Sequence, residues 1–325
     1  MNILVTGGAG YIGSHPAKTL IKQGFDTIIL DNFSSGKKIL IPKETSQVIE
    51  KNLAEKESII KIFKENDIKA VLHFASLIQV GESYNAPHKY YSSNLINSLN
   101  LLEAMLKKKV KYLIFSSSAA VYGIPNHTPI TESHKLNPIN PYGKTKYMIE
   151  EILKDYQKAY GLKFISLRYF NAAGADPDGE LGEMHDPETH LIPNILLSIL
   201  HRKRNLEIFG TDYPTKDGTA VRDYIHVTDL AEAHVLSLKY LLDKNKSEFI
   251  NLGTNKGYSI REIIKKIEHI IGKRVSFKEK PRRKGDVPVL VASNEKAQKL
   301  LGWKPKYSEI DAIIQTAWAW HKKNR

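Results

Sequence analysis

Short runs of β-branched and aliphatic residues alternate with longer amphipathic stretches through the first half of the chain. The runs Ile3–Thr6, Thr27–Asp31, Gln47–Glu50, Ala70–Ala75, Tyr112–Ser117 and Lys163–Arg168 predict strands. Between them, apolar residues recur at helical spacing near Tyr11–Gln23, Glu55–Glu65, Pro87–Lys107 and Pro141–Tyr160. The strand runs are almost continuously apolar, as buried strands of a parallel sheet are. This alternation predicts an α/β fold: a doubly wound, parallel, Rossmann-like sheet with its ligand crevice at the carboxyl ends of the strands.

After Gly174 the rhythm changes. Gly, Pro and Asp dominate Ala175–Pro187, which predicts a surface loop. Shorter elements follow: a helix near Leu191–Arg202, a strand at Leu206–Phe209, a helix near Val227–Leu242, a strand at Phe249–Asn251 and a helix near Ser259–Ile271. This part neither repeats the first nor contains a low-complexity tract. The expected organisation is a dinucleotide-binding domain over residues 1–174 and a smaller α/β substrate-binding lobe over 175–325. Part of 220–250 is expected to return to the first domain, with Arg222–Val227 the candidate strand.

Chemistry enters at the first strand, which runs into Thr6-Gly7-Gly8-Ala9-Gly10-Tyr11-Ile12-Gly13 and then a helix. Gly7 permits the tight turn, Gly10 lets the backbone approach a pyrophosphate, and Gly13 lets the helix pack on the sheet. The first N–H groups of that helix then face the anion. Pro16 lies a few residues inside, where a local distortion is expected. Asp31 ends the second strand, about 20 residues on, where a carboxylate accepts from both ribose hydroxyls and repels a 2′-phosphate, favouring NAD over NADP. The bland alternative is a turn residue in Asp31-Asn32. Asn52-Leu53, ending the third strand, is read as an adenine contact or as a turn.

A second motif is Tyr142-Gly143-Lys144-Thr145-Lys146. Tyr142 and Lys146 are four apart and share one helix face, with Asn140-Pro141 starting the helix. A tyrosine that acts as a base near neutrality must lose roughly three units from about 10, worth about 4 kcal/mol of preferential phenolate stabilisation. A neighbouring ammonium and a positive nicotinamide ring have the right sign. Ser118, last of Ser116-Ser117-Ser118 after the fifth strand, is positioned to bond the same substrate oxygen. Alone, the Tyr/Lys pair reads equally well as a packed tyrosine and a surface lysine. With the glycine turn and the acidic strand end in this order, it points to hydride transfer at a carbinol carbon.

Composition narrows the picture. The 325 residues suffice for a large core, and the absence of cysteine excludes disulfide and thiolate chemistry. No His/carboxylate group at ligand spacing stands out, so no metal is expected. The formal charge of +13 reads as a lysine-rich solvated surface rather than a nucleic-acid site, because Lys107-Lys108-Lys109 lie at a helix end and no nucleic-acid module appears. No apolar run reaches membrane-spanning length and no apolar leader precedes the first strand, so a cytoplasmic protein is expected.

These motifs resemble the extended short-chain dehydrogenase/reductase family, and within it the nucleotide-sugar 4-epimerases, over nearly the whole chain. Further matching segments are His73-Phe74-Ala75, Gly81-Glu82-Ser83, Tyr90-Tyr91 with Asn94, and Leu167-Arg168-Tyr169-Phe170-Asn171. Later ones are Asp217–Asp229 and Arg282-Arg283-Lys284-Gly285-Asp286. The resemblance implies an NAD site lined by Tyr11, Ile12, Asp31-Asn32, Phe74-Ala75, Asn94 and Phe170, besides Ser118, Tyr142 and Lys146. It implies that Asn171, Leu191, Arg222, Arg283 and Asp286 hold a UDP-hexose, with Phe209 near the uracil. Forked arginine donors suit a diphosphate.

The reaction so implied interconverts UDP-glucose and UDP-galactose. Tyr142 takes the 4-hydroxyl proton while hydride leaves C4, the 4-keto sugar turns about its diphosphate anchor, and hydride returns to the other face. Ile78 stands where some members carry lysine, and Asn52 where Asp is usual. Leu290 stands where members carry a bulky tyrosine or a small residue that admits an N-acetyl group, so UDP-GlcNAc/UDP-GalNAc remains an alternative. A pentose or uronic-acid nucleotide epimerase would share nearly all these residues. A 4,6-dehydratase needs an acid and a base after the hydroxyl residue, whereas Ala119-Ala120 follow Ser118 here. A non-enzymatic NAD-sensing protein would be expected to have lost the Tyr/Lys pair. The resemblance also implies a homodimer formed through the long helices near Pro87–Lys107 and Pro141–Tyr160.

Overall fold

The computed structural model describes residues 1–201, 206–283 and 285–324. Strand β1 (Asn2–Thr6) leads into α1 (Tyr11–Lys22), β2 (Asp26–Asp31), β3 (Gln47–Glu50), α2 (Lys56–Glu65) and β4 (Ile68–His73). Then come α3 (Val80–Asn85), α4 (Pro87–Tyr90), a π-helical segment Tyr91–Ile96, α5 (Asn97–Lys107), β5 (Tyr112–Ser116), α6 (Pro141–Tyr160) and β6 (Lys163–Tyr169). The strands pair in parallel in the order β3-β2-β1-β4-β5-β6, the doubly wound Rossmann-like arrangement. Order reverses between β1 and β4, so a crevice opens where the glycine turn and the segment after β4 meet. One face of the sheet buries Ile3, Val5 and Ile29, and the other buries Leu4, Ile28 and Val71, which accounts for the unbroken apolar runs.

Helix α1 runs on through Pro16. The proline removes one intrahelical donor, but Tyr11, Ala17 and Leu20 on the buried face keep the helix docked on the sheet. One expectation changes here. The stretch Pro87–Lys107 is not one regular helix, because the π segment carries Ser92, Ser93 and Asn94 through its middle. Wider turns of this kind redirect side chains and recur at functional sites.

The second half supplies β7 (Asn171–Ala173), α7 (Leu191–His201), β8 (Leu206–Phe209), β9 (Val221–His226), α8 (Val227–Lys244) and β10 (Glu248–Leu252). Arg202, at the expected end of α7, and Lys284 of the basic segment lie outside the described residues. Next are β11 (Gly257–Ser259) and α9 (Ile260–Ile271), started by a capping box between Ser259 and Glu262. Beyond Ile271, where no element is predicted, lie β12 (Phe277–Lys280), β13 (Val289–Leu290), α10 (Glu295–Leu301) and α11 (Ile310–Lys323).

Arg222–Val227 does not return to the large sheet. Strand β9 instead centres a small sheet with β7, β11 and β13, because its buried Asp223 carboxylate is satisfied there by Thr254 and the Ala292 N–H. The strand that does return is β10, parallel to β6, with Ile250 and Leu252 in the large core. Helix α8 covers the same core through Leu230, Val235, Leu238 and Leu241. Helices α7, α9 and α11 form a separate apolar cluster around Ile195, Ile267 and Ile314. Among the described residues no helix is long and apolar enough to cross a membrane.

Candidate active site

The glycine turn is tight against the rest of the crevice. A Cβ on Gly7, whose φ is +72°, would lie 2.6 Å from the Ala75 nitrogen, and one on Gly13 would lie 2.2 Å from the Gly7 oxygen. Gly10 differs: within 4 Å its Cβ would meet only the Gly7 oxygen, at 3.2 Å. Packing therefore demands glycine at 7 and 13, whereas at 10 the bare backbone faces outward. Gly10 caps α1 without a side-chain bond, so the first N–H groups of the helix are left for an anion. This cradle fits a dinucleotide pyrophosphate.

Asp31 is buried at the end of β2 and accepts from the Ala9 N–H at 3.0 Å and the Phe33 N–H at 2.8 Å. Burial pushes its carboxyl pKa up, and these backbone bonds pull it back. The carboxylate thus braces the glycine turn. Asn32 and Asn52 line one open cleft of about 430 Å³, with Ala54, His88 and Lys89. Asn52 is also a turn residue, accepting from the Ala54 N–H at 2.9 Å. Leu53 is buried in the core, and its carbonyl accepts from Asn100.

Several expected cofactor contacts have their side chains committed elsewhere. The Phe74 ring packs on His234, centroids 4.8 Å apart, so this residue and Ala75, whose N–H groups both reach the Thr6 carbonyl, offer main chain. Asn94 is fully buried and its amide bonds the Leu77 N–H, the Leu77 carbonyl and Thr145. It positions the segment after β4 instead of presenting a free amide. Tyr11 donates to the Gly174 carbonyl at 2.7 Å, and Ile12 packs on the large core.

The serine run divides cleanly. Ser116 bonds the Tyr169 hydroxyl, and Ser117 donates to Glu150 at 2.7 Å. Ser118 alone faces Tyr142, to which its side chain is hydrogen-bonded. Helix α6 begins at Asn140, whose side chain accepts from the Gly143 N–H, and it places Tyr142, Lys146 and Glu150 on one buried face. The Lys146 Nζ donates to the Ser116 carbonyl at 2.8 Å and lies 6.0 Å from the Tyr142 ring centroid. Burial lowers its pKa to about 7, and Glu150 acts against that shift. Burial raises the Tyr142 pKa, with the Ser118 bond pulling the other way.

Glu150 is a residue the sequence reading missed, though it is one more step of four along the same face. It forms a fully buried pair with Arg168 at 2.7 Å, and Arg168 in turn donates to Tyr122. The pair locks α6 to β6 and so fixes the register of Tyr142 and Lys146.

On the small-lobe side, Arg222 lies 3.9 Å from Asp286, and the Arg283 guanidinium stacks 3.8 Å over the Phe209 ring. Arg222 also donates to the Val221 carbonyl, and burial lowers its pKa. Asn171 donates to the Asp223 carbonyl, and Leu191 opens α7. Leu290 is paired with Arg222 across β13 and β9 and packs with Phe170 against Val121, Tyr122 and Ile130. Ile78 is partly exposed.

Residues 3–253 match the NAD dependent epimerase/dehydratase family. The chain belongs to that family. It is 49% identical over 325 residues to the UDP-glucose 4-epimerase of Lactobacillus helveticus, covering 100% of this chain and 98% of that protein. Among solved structures, the UDP-glucose 4-epimerase from Brucella ovis in complex with NAD superposes with a TM-score of 0.94 at 46% identity, covering 98% of this chain and 97% of that one. The Bifidobacterium longum UDP-glucose 4-epimerase in complex with NAD+ and UDP gives 0.94 at 38% identity, covering 100% and 99%. Family membership makes NAD the cofactor, in keeping with the outward-facing Gly10 backbone and the Asp31 carboxylate.

One cluster lies beyond every sequence expectation. Glu183, His185, Glu188 and His190 bring two imidazoles and two carboxylates together in the segment before α7, beside Tyr11. Their spacing of two, three and two residues follows neither helical nor strand periodicity, so the sequence pattern carries no sign of the cluster.

Proposed function

We propose that this protein is a cytoplasmic UDP-glucose 4-epimerase that interconverts UDP-glucose and UDP-galactose by oxidation at C4, rotation of the 4-keto sugar and re-reduction. The observation that carries the reading is the Ser118–Tyr142–Lys146 group, followed by Ala119-Ala120 in place of the acid and base that elimination would need. The relatives' names point to the same reaction. Residues 1–174, joined by α8 and β10, would hold NAD, and the remainder of the chain would hold the UDP-sugar.

NAD, whose nicotinamide ring is positively charged when oxidised, would supply the hydride acceptor and donor and a charge of the sign that favours a phenolate. Tyr142 takes the 4-hydroxyl proton and later returns it, while Ser118 bonds the same sugar oxygen. Lys146 is oriented by the Ser116 carbonyl and favours the phenolate. Arg222 and Arg283 grip the diphosphate, Phe209 lies by the uracil, and Asn171, Leu191 and Asp286 complete the pocket. Anchoring through UDP leaves the sugar free to turn over. Leu290 borders the sugar beside Phe170. The protein is further proposed to be a homodimer through the helical faces that expose Ile96 and Met148.

The test is to incubate the purified protein, without added NAD, with UDP-galactose and separately with UDP-GalNAc, and to quantify the C4 epimers. Conversion of the first is expected. Conversion of both extends the substrate range to N-acetylated sugars. No reaction even after NAD is supplied moves the assignment to another nucleotide sugar.

A further inference from the structure

Four side chains in the segment that joins β7 to α7 converge on one point. His185 Nδ1 lies 2.9 Å from Glu183 Oε1, and His190 Nδ1 bonds the same oxygen. Both nitrogens lie near Glu188 Oε1, at 3.9 Å for His185 and 3.8 Å for His190. One donor atom from each of the four residues lies within 4.8 Å of the other three. The two carboxylates are almost completely buried, with side-chain exposures of 4% for Glu183 and 2% for Glu188.

We propose that Glu183, His185, Glu188 and His190 form a structural binding site for a divalent transition-metal ion of the zinc class. The donor set is two imidazole nitrogens and two carboxylate oxygens, a combination that suits Zn²⁺ and not Ca²⁺ or Mg²⁺, which take oxygen cages. Tetrahedral zinc, with bonds of about 2.0 Å, holds its donors roughly 3.3 Å apart, within the range these atoms already span. Little movement would therefore bring them to bonding distance. Charge also balances: a dication with neutral imidazoles neutralises two buried carboxylates.

The surroundings hold the ligands in place. Glu188 Oε1 accepts from the Thr189 and His190 N–H groups at 2.7 and 2.9 Å, and the Glu183 carbonyl accepts from Trp320 Nε1 at 3.0 Å. The His185 ring meets the edge of Tyr11, centroids 6.1 Å apart. Such outer contacts are what orient metal ligands. The bound ion would clamp the segment before Leu191 between the first turn of α1 and helix α11. It would tie the wall of the cofactor crevice to the small lobe, and no residue of the Ser118–Tyr142–Lys146 group belongs to it. The reading stands apart from the sugar assignment, since metal content is measured without any substrate.

The experiment uses the full chain without a polyhistidine tag, stripped with chelator and titrated with zinc chloride by calorimetry in parallel with His185→Ala/His190→Ala. Expected are one zinc per chain for the wild type at micromolar or tighter affinity, a higher Tm with zinc than without, and at least about tenfold weaker binding in the double variant. Absence of stoichiometric binding by the wild type overturns the proposal, as does unchanged binding by the variant. If the variant fails to fold, anomalous diffraction from zinc-soaked wild-type crystals decides. A peak among the four side chains supports the site, and a peak elsewhere or none removes it.

Discussion

Tyr142 is buried beside a lysine whose ammonium burial weakens, so neither group is set for chemistry by its neighbours alone. In the proposed reaction the positive nicotinamide ring would supply the charge that favours the phenolate. Tyr142→Phe is expected to cut turnover by about 10²–10⁴-fold with NAD still bound. Near-normal turnover would remove the tyrosine from this role. Glu150→Gln leaves Arg168 buried without its counter-charge, and a loss of about 3–5 kcal/mol is expected in urea unfolding. A smaller effect than a typical surface substitution would mean that the pair is not what holds α6 to β6. Leu290→Ser opens the apolar group around Tyr122 and Phe170, and should raise the rate on UDP-GlcNAc relative to UDP-glucose. An unchanged ratio would take Leu290 out of sugar selection.

Elements that depend on neighbours in sequence were readable in advance, and those that depend on distant partners were not. The glycine turn after β1 and the Tyr142/Lys146 face of α6 are local patterns, so strand, turn and helix appeared together. Gly13→Ala drives a methyl into the Gly7 carbonyl, and is expected to lower co-purified NAD and to cost about 1–3 kcal/mol of stability. Full NAD retention would show that the turn tolerates a shift. By contrast, the π segment at Tyr91–Ile96 looks helical from its composition, and only its bonds with Leu77 and Thr145 through Asn94 explain the wider turn. The exchange of β9 for β10 in the large sheet was equally hidden. Both runs are short and β-prone, and what marks β9 is the buried Asp223, whose partners Thr254 and Ala292 follow β10 and β13 and are distant in sequence. Phe74 and Asn94 are placed at the cofactor by resemblance, and their contacts with His234 and Leu77 were not legible in the sequence.

Across the whole molecule, among the described residues, burial lowers the pKa of six interior histidines, four of them far and His134 and His321 in the same direction. Burial lowers His73 and His226 to about 3, and His15 and His234 to about 4. A folded-state pKa below the unfolded value of about 6.5 means that the unfolded chain binds protons more readily on acidification. Their contribution is complete above pH ~6.5 and drains away as pH falls toward the folded values. Asp223, raised to about 6 by burial, acts in the opposite sense, as do Asp31, Asp229, His185 and His190, but Asp223 gains only below pH ~6 and His185, raised to about 10, mostly above pH ~6.5. The Tm is therefore expected to fall steadily from pH 7 to pH 5. A flat profile over that range would mean that these imidazoles are hydrated or already charged in the native protein.

The return of β10 to β6 has a consequence for how the chain is made. During synthesis β6 leaves the ribosome with a bare edge, and residues 170–247 must follow before the strand that covers it is available. Through that interval the nascent sheet presents unpaired main-chain groups on an apolar strand, the kind of surface that recruits chaperones or sticks to another copy. A fragment ending at Gly174 would be caught permanently at that stage. The small lobe thus owes its position in the gene to more than substrate binding, since the large sheet is not closed until most of the small lobe's first elements have been translated.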